Sequence, residues 1–351
     1  MNVKKTISLL AVISVFSHLY GQPGGKAYQF LEMTNSARIA ALGGKEVAIY
    51  DNDLNMPYYN PSLLSPGMDQ NLVLNYVNYF AGINYGYASY ARDIKNIGTF
   101  AGGIHYLNYG SFIRADETGM IDGKFHASDY AFNLIYSRKI DSLISAGINF
   151  KPVFSYLDTY SSFAVAFDVG ITYHNPEKLF TASIVLRNAG LQLSTYYSGA
   201  EHEPLPLDLA IGISQSLRHA PFKFYFVADH LEKFDLTYKT EQDIKDEIDP
   251  FTGEPRSENN FDVTLDKIMR HIIIGTEFNL TQNFVLRFGY NYRRRQEMKI
   301  DSKAGTVGFS WGVGIKISRF HISYGRSAYH LAGSPNYFSI SMNLKEFNKK
   351  F

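Results

Sequence analysis

Cysteine is absent from all 351 residues. That excludes disulfides, thiolate metal sites and a cysteine nucleophile. It also excludes a lipoprotein anchor, whose lipid is carried on a cysteine, and it suits an export route in which stray thiols would be oxidised. Charge of one sign is lacking too: 34 Lys and Arg stand against 33 Asp and Glu, a formal net charge of +1. Nothing in that balance points to nucleic acid as a partner. Beyond the first 21 residues no apolar run approaches the roughly 20 residues of a transmembrane helix, and the mean hydropathy is −0.17. Catalytic signatures are missing as well. There is no His-Glu-x-x-His, no phosphate-binding loop and no nucleophile elbow. An enzyme would need a converging Ser-His-acid set that no motif announces, so the chain reads as non-enzymatic, without a catalytic residue, cofactor or metal.

What is there begins with an export signal. Lys4 and Lys5 precede an apolar run from Ile7 to Phe16, and Gly21 offers a small residue at a cleavage site. This places a signal peptide over 1–21. Tyr (26), Phe (26) and Gly (28) are abundant, a composition for many strands with aromatic faces. Strand patterns run over 71–80, 83–92, 99–109, 127–138, 143–155, 162–175, 179–188, 206–217, 222–231, 270–280, 283–293, 304–317, 319–329 and 336–345. Most reach the 9–11 residues needed to cross a bilayer at a tilt, whereas soluble strands average about five or six.

Their alternation is regular. Phe163, Val165, Phe167, Val169, Ile171 and Tyr173 share one face of 162–175, against Ala164, Ala166, Asp168, Gly170 and Thr172. In 304–317, Val307, Phe309, Trp311, Val313, Ile315 and Ile317 alternate with Gly308, Ser310, Gly312, Gly314 and Lys316. One face is apolar and aromatic, the other small, polar or charged, as a lipid-facing wall around a polar lumen requires. Without an apolar helix, a closed barrel is the remaining way to satisfy every backbone group in lipid. The reading is therefore all-β: a roughly 14-stranded antiparallel transmembrane barrel over 71–345, an N-terminal plug segment over 22–70 and a short tail over 346–351. Short connections at 139–142, 176–178, 218–221, Thr281-Gln282 and Ser318 alternate with longer ones at 110–126, 156–161, 189–205, 232–269, 294–303 and 330–335. The join at Ala81-Gly82 and the gap 93–98 break the alternation. With both termini periplasmic, the long loops lie at the cell surface.

Several side chains are candidates for chemistry. His105, His271 and His321 fall on the less apolar faces and would serve either a lumen proton or metal site or hydrogen-bonded packing; no ligand set stands at metal spacing. Asp168, Glu277, Lys151, Arg287 and Lys316 point inward, either lining a channel or pairing across a filled barrel, and the cost of an unpaired buried charge favours pairing. Arg326 shares a face with Phe320 and Ile322 and is expected to point outward. Arg293, Arg294 and Arg295, at the outer end of a strand, form a candidate lipopolysaccharide contact, since guanidinium forks match phosphate oxygens. The loop 232–269, with Pro250 and Pro255, is the first expected partner surface, followed by 110–126 and 189–205; Asp262 to Met269 is expected to form a short helix. Phe351 and the apolar face Phe338 to Leu344 are a candidate barrel-assembly signal.

Ser36-Ala37-Arg38, then Ala40-Ala41-Leu42-Gly43-Gly44, then Asn60-Pro61-Ser62-Leu63-Leu64 ahead of a barrel resemble the fatty-acid-transporter (FadL) superfamily of outer-membrane proteins, with Ser62 where the family has Ala. Within it, Tyr28-Gln29-Phe30-Leu31, Asn108 to Phe112, Ala127 to Phe132 and His219 to Phe222 are similar to the PorQ-like family of type IX secretion. His271 to Glu277 and Arg287 to Tyr290 are similar to its PorV relatives. The resemblance implies a Gram-negative, Bacteroidetes-like outer membrane and a non-enzymatic anchor for a surface attachment complex. The implied partners are surface proteins resembling PorZ, PorU and PorV, together with lipopolysaccharide and outer-membrane lipid. The alternative it implies is a FadL-like transporter of hydrophobic small molecules, which would need an apolar path and a side opening or movable plug.

Overall fold

Strand follows strand from Asn71 to Asn343 in the computed structural model, which describes residues 27–237, 260–298, 305–329 and 333–348. The expected signal peptide, the stretch 249–255 and Phe351 lie outside the described residues. The strands are β1 (Asn71–Asn78), β2 (Asn84–Ile94), β3 (Gly98–Ala115), β4 (Ile121–Lys139), β5 (Ile144–Leu157), β6 (Tyr160–Asn175), β7 (Phe180–Ser194), β8 (Asp208–Ser216), β9 (Phe222–Ala228), β10 (Ile272–Thr281), β11 (Phe284–Asn291), β12 (Phe309–Ile317), β13 (Phe320–Ser327) and β14 (Asn336–Asn343). Each pairs antiparallel with its neighbours in sequence, and β1 pairs with β14 from Asn71↔Asn343 to Asn78↔Asn336, so the sheet closes. Closure leaves no sheet edge, the condition under which strands survive in lipid.

The period of two set the orientation as the alternation required. Leu134, Ile171, Trp311 and Phe338 lie exposed on the outer wall, while their sequence neighbours Asn133, Thr172, Gly312 and Tyr337 are buried. Outward rings meet across strands near the short-turn end (Phe100 and Tyr136, 4.9 Å between centroids; Phe222 and Phe278, 4.7 Å). Others meet near the opposite end (Tyr106 and Tyr130, 4.8 Å; Tyr290 and Phe309, 4.8 Å). Two such tiers are what an apolar band flanked by aromatic girdles looks like. Arg326 stands outward opposite Trp311, as its parity required.

Two expected loops prove to be strand. The hairpin β3–β4 continues past the rim through most of 110–126 and turns only at 116–120. It is held by a cross-strand stack of Phe112 on Phe125 (centroids 5.1 Å apart) and by Arg114 Nε donating to Asp122 Oδ1 at 3.0 Å. Its lower part pairs with β2 only as far as Asn84↔Asn108, so beyond that point the ribbon stands without a neighbour on the β3 side. β7 likewise runs on to Ser194, into the expected loop 189–205. Conversely, Tyr292 and Arg293 open a helix, α4 (Tyr292–Met298), instead of ending a strand; the Asn291 side chain accepts the Arg294 amide at 2.9 Å and caps it. The expected helix near 262–269 is present as α3 (Asn260–Met269).

Residues 27–70 fill the interior. A turn at Gln29–Glu32, the helices α1 (Ala37–Ala41) and α2 (Met56–Tyr59) and a turn at Pro61–Leu63 are almost wholly buried. The small inward residues of the wall make the room. A Cβ on Gly289 would fall on the Leu42–Gly43 backbone, on Gly147 on Pro61, on Gly325 on Ala37, and on Gly170 on the Asn60 side chain. Inward serines then satisfy the plug's irregular backbone: Ser145, Ser214 and Ser327 donate to the carbonyls of Ser62 (2.7 Å), Ala48 (2.9 Å) and Ala40 (2.9 Å), and Ser339 Oγ accepts from Ala37 N (2.9 Å). Buried backbone groups outside regular structure need such partners.

Gly289→Val is therefore expected to unseat the plug, costing at least the roughly 1–3 kcal/mol of an overpacked core. Gly102→Val, where an added Cβ meets nothing within 4 Å, is expected to be silent. Urea midpoints of the detergent-solubilised barrel and proteolysis of the plug check both.

Candidate functional site: the sealed lumen

Three charge groups are buried in the interior, and two of them tie plug to wall. In the first, α1 presents Arg38 to β10. Its Nε donates to Glu277 Oε1 at 2.8 Å and its Nη2 to Glu277 Oε2 at 2.9 Å, a two-pronged grip. Arg287 on β11 donates to the same carboxylate at 2.7 Å, Tyr225 on β9 at 2.6 Å, and the far side of Arg38 reaches Asp51 at 2.7 Å. In the second, Lys45 Nζ lies 2.9 Å from both Asp208 and Asp229. Asp208 also faces Arg187 at 3.5 Å, whose guanidinium stands 5.8 and 5.6 Å from the ring centroids of Tyr58 and Tyr59. The third lies within the wall: Lys151 Nζ sits 2.7 Å from Asp168, which also accepts from Asn149 and from the Asn188 amide. Lys151 and Asp168 thus pair between neighbouring strands, as do Glu277 and Arg287, around a filled interior. Lys316 instead lines a cavity at the short-turn end.

The motif residues work as seating. Gly43 and Gly44 take φ of +107° and +104°, ending α1 where L side chains are strained. Asn60 accepts from Ser62 N (3.1 Å) and Ser62 Oγ (2.7 Å) while donating to Val47 O (2.8 Å), and Ser62 Oγ meets Thr172 on β6 at 2.7 Å. Ser62 thereby ties this turn to the wall. Ser36 lies buried at the entry to α1.

The histidines do not gather. His105 Nδ1 meets Tyr58 Oη at 2.9 Å, His271 bonds the carbonyls of Asp229 and Phe234, and His321 lines the cavity at the short-turn end. Among the described residues, Asp208, His230 and Glu232 offer ligand atoms within 4.8 Å of one another, but an ion there would stand against the Lys45 ammonium already bonded to Asp208. Of the arginine row, Arg293 and Arg294 line a cavity at the long-loop end and Arg295 donates to Gly305 O at 2.6 Å. The anticipated lipopolysaccharide site therefore has its donors turned toward its own chain and the barrel mouth. Lys45, Arg187, Asp208 and Asp229 were not singled out from the sequence, although Arg187 and Asp208 share the inward faces of their strands.

One buried carboxyl is left over. Neither oxygen of Glu46 takes a hydrogen bond among the described residues. Burial first, then the nearby Glu277 carboxylate, pushes it well above the usual carboxylate range, and Arg38 offsets only part of that.

Among the described residues a cavity lies on each side of the plug. At the short-turn end about 450 Å³ is bounded by groups such as Asp51, Arg287, Lys316, His321 and Ser341; at the long-loop end about 220 Å³ is bounded by groups such as Lys45, Asp229, Arg293, Arg294 and Tyr329. Between them lie Ala40, Ala41 and Leu42, all fully buried, and the Arg38–Glu277 pair. Among the described residues no apolar passage joins the two ends.

The sequence matches no protein-family model and no curated protein. The fold is similar to the Ralstonia pickettii toluene transporter TbuX (TM-score 0.51, 10% identity, covering 89% of this chain and 99% of that one) and to the Pseudomonas putida toluene transporter TodX (0.50, 12%, 88% and 96%). A Pseudomonas aeruginosa FadL homologue aligns over 88% of this chain and 98% of its own at 10% identity and a TM-score of 0.47. At such identities the likeness is one of architecture: a closed 14-stranded antiparallel barrel.

Glu277→Gln leaves Arg38 and Arg287 facing a neutral amide and is expected to destabilise the barrel by about 3–5 kcal/mol. Because the folded Glu46 carboxyl is raised, its contribution is intact below the ordinary carboxylate value and is lost as pH climbs from there through the raised value. Glu46→Gln is expected to stay within about 1 kcal/mol of the wild type at low pH, where both side chains are neutral. The Gln variant should remove the loss at higher pH, read as urea midpoint against pH.

Proposed function

We propose that this protein is a non-enzymatic outer-membrane barrel that works as a rigid platform for surface proteins rather than as a conduit. The observation that carries the reading is the sealed lumen: the plug is fixed to the wall by buried ion pairs, and the space on either side of it is lined by charged and polar groups. A platform gains from a filled, stiff interior; passage of an apolar solute needs an apolar path. The β3–β4 ribbon, rising past the rim with Ile113, Met120 and Ile121 largely exposed, is the part of the wall best placed to meet a partner. In this reading the ribbon end faces outward and the short turns face the periplasm. The sequence resemblance supplies the finer proposal, an anchor for a type IX secretion attachment complex with partners resembling PorZ, PorU and PorV, and nothing else supports that step.

A second reading is passage of small hydrophobic molecules. It is the one the structural comparisons favour, since two barrels of this architecture are named as toluene transporters. It requires the plug to move and the Arg38–Glu277 pair to open.

Gentle extraction of the tagged barrel from native outer membranes separates the two. The platform reading expects a stoichiometric surface protein that is lost when residues 111–126 are replaced by a tight turn, with no uptake of toluene or oleate into reconstituted vesicles above the background. A barrel that comes out alone, carries bound apolar ligand and speeds that uptake would overturn it.

A further inference from the structure

The cavity at the long-loop end contains a cation without a counter-ion. Arg294, on α4, is 9% exposed, and among the described residues no carboxylate lies within 4.0 Å of its guanidinium. Its donors reach only two hydroxyls, both at long range: Ser310 Oγ at 3.4 Å and Tyr329 Oη at 3.3 Å. The group lies 4.1 Å over the Tyr329 ring, and the plug's Gly44 leaves the space it occupies, since a Cβ there would meet Nη2. Every other buried cation described above has a carboxylate. An isolated buried charge costs several kcal/mol, and cation–π contact returns at most about 2.

Arg293, on the same helix, is loosely held: its one ion pair among the described residues is to Asp229 at 3.8 Å, and Asp229 is already taken by Lys45 at 2.9 Å. Across the cavity Glu32 Oε1 is buried and accepts no hydrogen bond; its closest cation-forming neighbour is His230 Nε2 at 3.8 Å. Glu297 also lines the space. The cavity therefore offers an unmet guanidinium and an unmet carboxylate oxygen. At about 220 Å³ it holds roughly seven waters at ~30 Å³ each.

We propose that this cavity binds a small molecule or head group carrying an oxyanion, phosphate or carboxylate, together with an N–H or O–H donor, the oxyanion on Arg294 and Arg293 and the donor on Glu32. Phosphoethanolamine and simple amino or hydroxy acids have this chemistry. The site opens toward the long-loop mouth and does not depend on whether the barrel is a platform or a conduit.

The test uses the full-length barrel in detergent, titrated calorimetrically with inorganic phosphate, with O-phosphoethanolamine and with sodium chloride at matched ionic strength. Phosphate is expected to bind, and phosphoethanolamine more tightly. Arg294→Gln should weaken both at least tenfold, and Glu32→Gln should abolish the preference while leaving phosphate binding in place. Should Arg294→Gln fail to fold, Arg294→Lys keeps the charge, loses the fork and the ring contact, and is expected to weaken phosphate binding severalfold. Phosphate heats no different from chloride, or equal binding by the wild type and the Arg294 variant, would overturn the site. So would an Arg294→Gln barrel that is simply more stable, with no anion effect in either protein. Competition by bicelles containing phosphatidylethanolamine would assign the ligand to a lipid head group; binding unaffected by them would assign it to a free solute.

Discussion

A closed sheet of fourteen strands encloses more space than its own inward side chains fill; eight strands is about the size at which they suffice. Everything distinctive in this chain follows from how that surplus is occupied. Residues 27–70 occupy it, and because they carry little regular structure they arrive with unpaired amides and carbonyls. The wall answers with glycines where the plug's backbone must come close and serines where it needs a partner. The inward face is small and polar because it is a mould for a peptide, and an aqueous channel is not what that composition reports here.

Charge enters the interior under the same constraint. Most of the buried cations meet a carboxylate, and two do so across the plug–wall boundary: Arg38 meets Glu277 on β10 and Lys45 meets Asp208 on β8. Such pairs add little net stability over an apolar packing, but they fix position. A plug held by ion pairs to β8 and β10 and by hydrogen bonds to β5 and β14 can neither slide nor rotate without leaving charges and polar groups stranded. Rigidity, more than tightness, is what they provide, and it is this that weighs on the platform side of the functional question.

Much of this was legible in the residues. All fourteen strands were located because most of the patterns run long enough to cross a bilayer, and the outward set in β6 and β12 was assigned residue by residue from parity alone. The Gly43-Gly44 stop and the Asn60-Pro61 turn were visible as punctuation. What parity does not carry is what lies opposite. Lys45 is followed by Glu46 in a polar-looking stretch, yet one is bonded to strands more than 160 residues away and the other is left without a partner. The ribbon at 110–126 was read as a longer connection, although the chain turns only at 116–120; Gly110, Gly119 and Gly123 break the side-chain alternation there. The arginine row read as a surface cluster because its helix, α4, interrupts a strand pattern; a helix turns successive side chains through about 100°, and that rotation carries Arg294 inward over Tyr329.

The order in which the molecule is put together is constrained by its seam. β1 and β14 meet through residues 272 apart in the chain, and the plug's Ala37 is bonded to Ser339, 302 residues away. The last strand made is thus the one that both closes the cylinder and latches the first segment made. A sheet that zipped shut too early would exclude its own filling and have to part again at β1–β14 to admit it. Long-range pairing of this kind is slow, and closing the β1–β14 seam and latching the plug draw on the same last strand.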